Sequence, residues 1–360
     1  MKLLILTQKV DKLDPILGFF HRWIEEFAKH AEKVTVITLN EGIHQLPENV
    51  MVFSLGKSKD QYVGFKDRIK FVFNFYGYIW SERKNYDTVF VHMNPIYVVF
   101  GGLFWKIMGK KISMWYTHRE VDLKLRVAEV FADVIFTAAK ESFKLPSKKV
   151  VVTGHGIDVA QFLNMQRSKV IGTDPIRLLH VGRVTQIKNC DTLIEAAKIL
   201  GECWNKKFEI VFAGSPVTDA DRSYMTSLSS LISTYKLDNQ IKFIGHVAPS
   251  DINKQYAACD ATVNLTPTGG IDKAVLESMA SGVPVFSSNQ AFVNYFDRYA
   301  EKLIFNERDA DDLAQKIMAL FAGDLQTVGA NLQKIAEEKA DIGVLIHTIS
   351  DKLTLLWKNK

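Results

Sequence analysis

Arg183 and Lys188 stand five residues apart in HVGRVTQIKNCDTLIEAA, between an apolar run and an amphipathic stretch. Gly182 at the end of that run lets backbone come close to a ligand. Two cations across the turn before a helix can grip two phosphates at once. The same residues also suit a solvated turn whose charges bind nothing, and the segment alone leaves both readings open. A second loop, Thr266-Pro-Thr268-Gly269-Gly270, leads into a helix that opens at Asp272-Lys273. First-turn amides with glycines removing steric cover make an anion site. Within that helix, Glu277 could accept hydrogen bonds from two vicinal hydroxyls of a ribose or sugar, although an exposed helical Glu is the commoner fate. His118, beside Arg119 at the end of KISMWYTH, is the remaining acid–base candidate; a lone His is more often structural.

The elements that must position these residues follow from the hydropathy pattern. Short apolar runs at 2–7, 34–39, 88–93, 111–118, 134–139 and 150–156 alternate with helical stretches at 19–31, 96–108 and 120–131. A second series has strands at 176–182, 208–214, 241–245, 261–265 and 284–288 with helices between them. Continuous apolar strands separated by helices predict parallel sheets covered on both faces, here two doubly wound α/β domains. The periodicity breaks between Asp158 and Pro175, so the domains are expected at 1–165 and 172–343, with the helix of 344–360 packing back on the first. Ligands on such sheets bind beyond the carboxyl ends of the strands, which makes a cleft between two such domains the expected site.

Composition narrows the class. At 360 residues and 47% apolar the chain can close two cores, which excludes disorder. No apolar run reaches the roughly 18 residues of a spanning helix, and MKLLILT is too short for a signal-peptide core, so a cytoplasmic protein is expected. Cys190, Cys203 and Cys259 form no CxxC pair and are expected as core thiols, with neither disulfide nor metal site. Residues 1–170 carry 25 Lys/Arg against 17 Asp/Glu, net +8, and residues 171–360 are net −3. The basic half attracts phosphate, nucleic acid or an anionic membrane alike. Within it, FKDRIKFVFNFYGYIWSERK (65–84) interleaves aromatics with Lys66, Arg68, Lys70, Arg83 and Lys84, as a helix lying on an anionic bilayer would; a core helix of the sheet is the plainer reading. RNA fits the charge, but no RNA-binding motif accompanies it, and no nucleic-acid partner is expected.

The GR…K turn, the strand ending Ala213-Gly214, FIGHV at 243–247 and the glycine-rich turn into LESMASGVPV occur in order over roughly 150–320. Together they resemble the donor domain of family 4 glycosyltransferases of the GT-B fold, and GHGID (154–158) resembles the end of that family's acceptor domain. The resemblance implies that Arg183 and Lys188 bind a donor diphosphate and Glu277 its ribose. Ile244, Gly245, His246 and Val247 would frame the base, and Gly182, Gly214 and Ser215 would line the nucleotide cleft. His118 would face the donor sugar. Many members carry a first Glu eight residues before the second; here that position is Gly269, so Thr268, Asp272 and Lys273 are the alternative contacts on the same loop and first helical turn, with Gly269 and Gly270 lining the donor site.

The expected function is transfer of a sugar from a nucleotide diphosphate sugar, UDP favoured over GDP-mannose, to a hydroxyl of a lipid-linked or glycan precursor. The family implies retention of configuration and no metal, and no cofactor is expected; the basic-aromatic segment 65–84 and the basic first half lead to an expectation of peripheral attachment to the inner membrane face. An epimerase on the same plan and a non-catalytic sugar-nucleotide binding subunit are the rivals; the second is motivated by Gly269.

Overall fold

The computed structural model describes residues 1–14, 16–58, 63–163 and 165–359. The chain divides into two units, Met1–Gly156 with Ile342–Lys360, and Ile157–Asp341.

In the first unit the order is β1 (Lys2–Val10), α1 (Phe19–His30), β2 (Lys33–Glu41), β3 (Val50–Ser54), α2 (Phe65–Ser81), β4 (Thr88–His92), α3 (Ile96–Ile107), β5 (Lys111–Trp115), α4 (Leu123–Phe131), β6 (Val134–Thr137) and β7 (Val150–Val152). The seven strands lie in the order β3-β2-β1-β4-β5-β6-β7, all parallel. Leu3 to Leu6 are wholly buried because helices cover both faces of the sheet, which is why β1 reads as an unbroken apolar run. One face carries a core of Phe75, Ile79, Tyr86 and Trp105. Its polar atoms are paired: the Trp105 indole donates to Tyr86 Oη (3.2 Å), which donates to the Ile79 carbonyl (2.8 Å). The last helix of the chain, α14 (Ile342–Lys358), packs against α1 on the other face, with the His30 and His347 rings 5.2 Å apart.

The second unit runs α5 (Ala160–Leu163), β8 (Ile176–Val181), α6 (Cys190–Cys203), β9 (Phe208–Ala213), α7 (Asp219–Thr234), β10 (Ile241–Gly245), α8 (Ile252–Ala258), β11 (Ala261–Asn264), α9 (Lys273–Ala280), β12 (Val285–Ser287), α10 (Val293–Phe296), α11 (Ala300–Leu303), α12 (Ala310–Phe321) and α13 (Leu325–Lys339), before α14 (Ile342–Lys358) returns to the first unit. Its parallel strands are ordered β10-β9-β8-β11-β12, so the strand order reverses between β8 and β11. Such a switch point leaves a crevice at the carboxyl ends of the strands.

Several expectations shift. The boundary falls at Gly156/Ile157 and not at 165–172. The Ile157 amide donates to the Ala340 carbonyl (2.8 Å), and the aperiodic stretch after it is a strap on the second unit. Buried Asp260 holds that strap, accepting from the Lys169 ammonium, the Gly172 amide (2.8 Å) and the Arg177 amide (2.7 Å). The strand expected over 111–118 ends at Trp115, leaving His118 in the loop beyond. The helix expected from 120 starts at Leu123, because the Asp122 carboxylate caps it by accepting from the Leu125 amide (2.8 Å). Cys190 and Cys259 are buried, but Cys203, at the solvent end of α6, is exposed. Edge strand β3, too short and too exposed to stand out as an apolar run, has no counterpart in the hydropathy reading.

Asp260→Ala leaves a half-buried lysine and two amides without their acceptor. It is expected to destabilise the second unit by about 3–5 kcal/mol and to open the strap to proteolysis. Urea denaturation and limited digestion check this; an unchanged midpoint contradicts it.

Candidate functional site

At the switch point of the second sheet two loops meet. The first leaves β8 through Gly182 and Arg183, makes a 3₁₀ turn at Gln186–Lys188 and enters α6 after Asn189. Asn189 adopts the left-handed conformation (φ 45°), which Asn tolerates better than most residues. It is clamped on both sides, donating to the Leu265 carbonyl (3.3 Å) and accepting from Arg308 Nε (3.0 Å). That clamp aims Lys188 across the crevice at the second loop, between β11 and α9. Lys188 Nζ donates to Thr266 Oγ1 (2.7 Å) and to both oxygens of Asp272 (3.0 and 3.2 Å).

Asp272 occupies the N-cap position of α9, yet its carboxylate makes no cap bond. Lys188 and Asn264 Nδ2 (2.9 Å) take it up instead. Burial alone would push its carboxyl up. The Lys188 charge, with hydrogen bonds from Thr266, Asn264 and Lys188, outweighs burial and holds the carboxyl below its usual range. Beneath the pair, buried His180 on β8 donates from Nδ1 to the Val263 carbonyl of β11 (2.9 Å); burial lowers its pKa to about 4, so it is neutral at pH 7.

The 266–270 loop is latched from behind by the segment after β12. Ser288 Oγ donates to the Thr266 carbonyl (3.1 Å), the Gln290 amide to Thr268 Oγ1 (3.0 Å), and Asn289 Nδ2 to the Gly270 carbonyl (2.7 Å). These three bonds hold the loop's shape, which lowers the ordering cost of binding an anion there. Arg183 is exposed and in no ion pair among the described residues.

Glycines shape the neighbouring strand ends. A Cβ on Gly214 would lie 1.8 Å from the Gly182 carbonyl oxygen, so no side chain fits where β8 and β9 end. Gly214 and Gly245 form a bridge, and the Val184 amide donates to the Ser215 carbonyl (3.3 Å). Gly182, Gly214, Ser215 and Gly245 thus converge at the carboxyl ends of three strands. Ile244, His246 and Val247 open onto a separate cavity of about 440 Å³ that they share with Arg177, Glu209 and Lys242.

Glu277, two-thirds of the way along the short helix α9, turns to Tyr256 of α8, whose hydroxyl donates to Oε2 (3.0 Å). Burial raises its pKa, opposed by Tyr256 and by the charge of Lys273 one turn earlier; burial in turn lowers Lys273 to about 8, opposed by Glu277. One carboxylate oxygen is thereby engaged by protein, which orients the other. In the first unit, His118 is exposed, with its ring edge-on to Tyr116 at 5.6 Å.

The structure therefore gathers Lys188, Thr266 and Asp272 into one cluster and the strand-end glycines beside it, and pairs Glu277 with a residue the sequence did not single out. Tyr256, Asn264, Asn289 and Arg308 are the partners missed. Only Asn264, a polar residue closing an apolar strand, carried a readable signal. Among the described residues no three His, Cys, Asp or Glu side chains gather as a metal site.

Comparison with known proteins points the same way. A family model described as "Glycosyl transferases group 1" matches residues 161–340. The chain is 25% identical over 265 residues to an alpha-monoglucosyldiacylglycerol synthase of Streptococcus pneumoniae, covering 70% of this chain and 56% of that protein. It is 24% identical over 260 residues to the putative colanic acid biosynthesis glycosyltransferase WcaL of Escherichia coli, covering 68% and 60%. The matches thus span little more than half the length of these relatives. Among solved structures, Anabaena Alr3699/HepE in complex with UDP superposes with a TM-score of 0.76 at 18% identity, covering 98% of this chain and all of that one. Sucrose-phosphate synthase from Thermosynechococcus elongatus does so at 0.74 and 16%, covering the whole of both chains. These likenesses establish the fold, two parallel-sheet α/β domains of the GT-B kind.

Asp272→Asn removes the negative partner of Lys188 and is expected to cost about 1.5–3 kcal/mol at pH 7. Because the folded-state pKa of Asp272 lies below its unfolded value, this contribution is present above about pH 4 and is lost as pH falls through the lower, folded value. Urea denaturation of both proteins at pH 7 and at decreasing pH below 4 should show the gap narrowing; a gap independent of pH contradicts the ion pair.

Proposed function

This chain belongs to the group 1 glycosyl transferases, and from that premise we propose that it moves a sugar from a nucleotide diphosphate sugar to an acceptor hydroxyl. The observation that carries the reading is the cluster at the second sheet's switch point. A lysine is held there on a carboxylate and a hydroxyl, beside an exposed arginine that makes no ion pair among the described residues and strand ends formed by glycines. Asp272 and Thr266 hold Lys188 in place. A diphosphate entering over Gly182 offers it a second anion, and Arg183 adds another cation without having to give up an ion pair. Charge-assisted contacts of this kind gain most when the leaving group develops charge. The bond between the anomeric carbon and the phosphate oxygen breaks with its electron pair going to the diphosphate. A bond to the acceptor oxygen forms as the acceptor's proton is released.

Glu277, held by Tyr256, accepts from the ribose hydroxyls, with Gly214, Ser215 and Gly245 beside the nucleotide; Ile244, His246 and Val247, expected to frame the base, line the other cavity instead. With glycine at 269, the donor sugar is met by Thr268, Asp272 and the start of α9. A UDP-sugar is the favoured donor, supported by the UDP complex of Alr3699/HepE. The transfer proceeds with retention and without a metal, the two cations supplying the counter-charge. A lipid-linked or polysaccharide precursor is the acceptor class, supported by relatives named for diacylglycerol glycosylation and for colanic acid and amylovoran biosynthesis.

Arg183→Ala is the cleanest test, because the side chain is exposed and its loss leaves the fold intact. It should weaken UDP binding by about 1.5–3 kcal/mol in calorimetry. Affinity equal to wild type displaces the diphosphate from this loop. Sugar transfer should also survive EDTA; complete loss, restored by magnesium or manganese, refutes the metal-free reading. Donor binding with no turnover across lipid and glycan acceptors would favour a binding subunit instead.

A further inference from the structure

The helix α2 has two apolar faces, and only one of them is core. Phe75 and Ile79 are buried under the first sheet, as a helix packed on a parallel sheet requires. A face about 100° further round the helix carries Phe65, Ile69, Phe73, Tyr76 and Trp80, at steps of four, four, three and four residues, which align in one stripe along the helix. That stripe faces solvent: Phe65 is 78%, Phe73 74% and Trp80 54% exposed. The neighbouring α3 continues it with Phe100, Leu103 (62%) and Ile107 (78%). The two stripes adjoin, since Tyr76 donates to the Phe100 carbonyl (2.9 Å) and the Trp80 and Phe104 rings lie 5.7 Å apart. Single exposed apolar residues are ordinary; a contiguous patch of this composition on two adjacent helices marks a binding surface.

Its surroundings identify the occupant. Lys66 and Lys70 each follow a stripe residue by one position and so flank the stripe, both exposed. At the far end Lys84 is exposed, and the Arg83 guanidinium lies over the Trp80 ring at 4.2 Å. The nearby acids are engaged locally: Asp67 accepts from the Gly64 amide (3.0 Å) and Glu82 from Asn85 (2.7 Å). Aromatic and aliphatic side chains bordered by cations are the pattern of a surface that sinks to headgroup depth in an anionic bilayer. No helix among the described residues is long and apolar enough to cross a membrane, so attachment through this face is peripheral.

We propose that the paired outer faces of α2 and α3 are a docking surface for an anionic lipid bilayer. The inference deepens the acceptor assignment and rests on the glycosyl-transfer reading for its purpose, which is to bring the first domain to an acceptor held at a membrane. It extends the surface beyond the basic-aromatic segment 65–84 to α3, which contributes apolar depth.

The test is flotation of the full chain with vesicles of equimolar phosphatidylglycerol and phosphatidylcholine, and with phosphatidylcholine alone. Wild type is compared with Phe73→Glu/Leu103→Glu and with Lys66→Glu/Lys70→Glu, all exposed positions. Thermal melting checks that each variant folds. Wild type should float with the anionic vesicles and be released by salt. The first variant should lose binding at every salt concentration, and the second should lose about tenfold or more of its partition at low salt. Light scattering without vesicles is run in parallel. Failure of wild type to float, binding unchanged in the Phe73→Glu/Leu103→Glu variant, or a dimer that this variant breaks would overturn the proposal. UDP calorimetry on the same protein keeps the two readings apart. Normal UDP binding without flotation sinks only the membrane surface, and flotation without UDP binding sinks the donor assignment.

Discussion

Everything proposed for the second unit hangs on one ion pair, Lys188 with Asp272, spanning the point where the strand order of the sheet reverses. A doubly wound sheet opens a crevice there whether or not a ligand uses it. What distinguishes this crevice is that its two lips are tied by opposite charges, and that the supporting bonds are paired one layer further out. Asn189 and Arg308 fix the lysine's turn, Asn264 and Thr266 fix the aspartate's, and neutral His180 joins the strands beneath. A cation held on a carboxylate is already oriented, and it can be shared with an arriving anion at little ordering cost. The glycines at the ends of β8, β9 and β10 then matter because they leave the space over that cation clear for backbone-close approach.

The same geometry gives a physical account of Gly269. Where many family members are expected to place a carboxylate, this chain has none, and the loop instead carries its negative charge three residues later, on Asp272. That charge is spent on Lys188 and Asn264 and not on capping α9. The latch formed by Ser288, Asn289 and Gln290 holds the loop in the shape that sets Asp272 on Lys188.

How much of this was legible in the sequence depends on whether the signal was local. The turn from Gly182 to Lys188 and the loop from Thr266 to Asp272 were readable because glycine, charge and strand end lie within a few residues of one another. Their contact was not readable, since 84 residues separate Lys188 from Asp272. Tyr256 could not be anticipated as the partner of Glu277 for the same reason. The 158–175 stretch looked like a linker because it lacks periodicity, but periodicity reports packing against a sheet. A strap held by a buried carboxylate has no reason to show it. On α2 the sequence displayed aromatics all round the helix, and only the fold decides that Phe75 and Ile79 point to the sheet while Phe73 and Trp80 do not. The contribution of α3 was hidden by its resemblance to any other helix of a doubly wound sheet.

The measurement that bears most directly on the central claim is a crystal structure of the protein with UDP bound. The account predicts the diphosphate between the Gly182–Lys188 turn and the start of α9, with Lys188 Nζ and the Arg183 guanidinium both within hydrogen-bond distance of phosphate oxygens and Glu277 on the ribose. A diphosphate seated elsewhere, with Lys188 still bound only to Thr266 and Asp272, would contradict it.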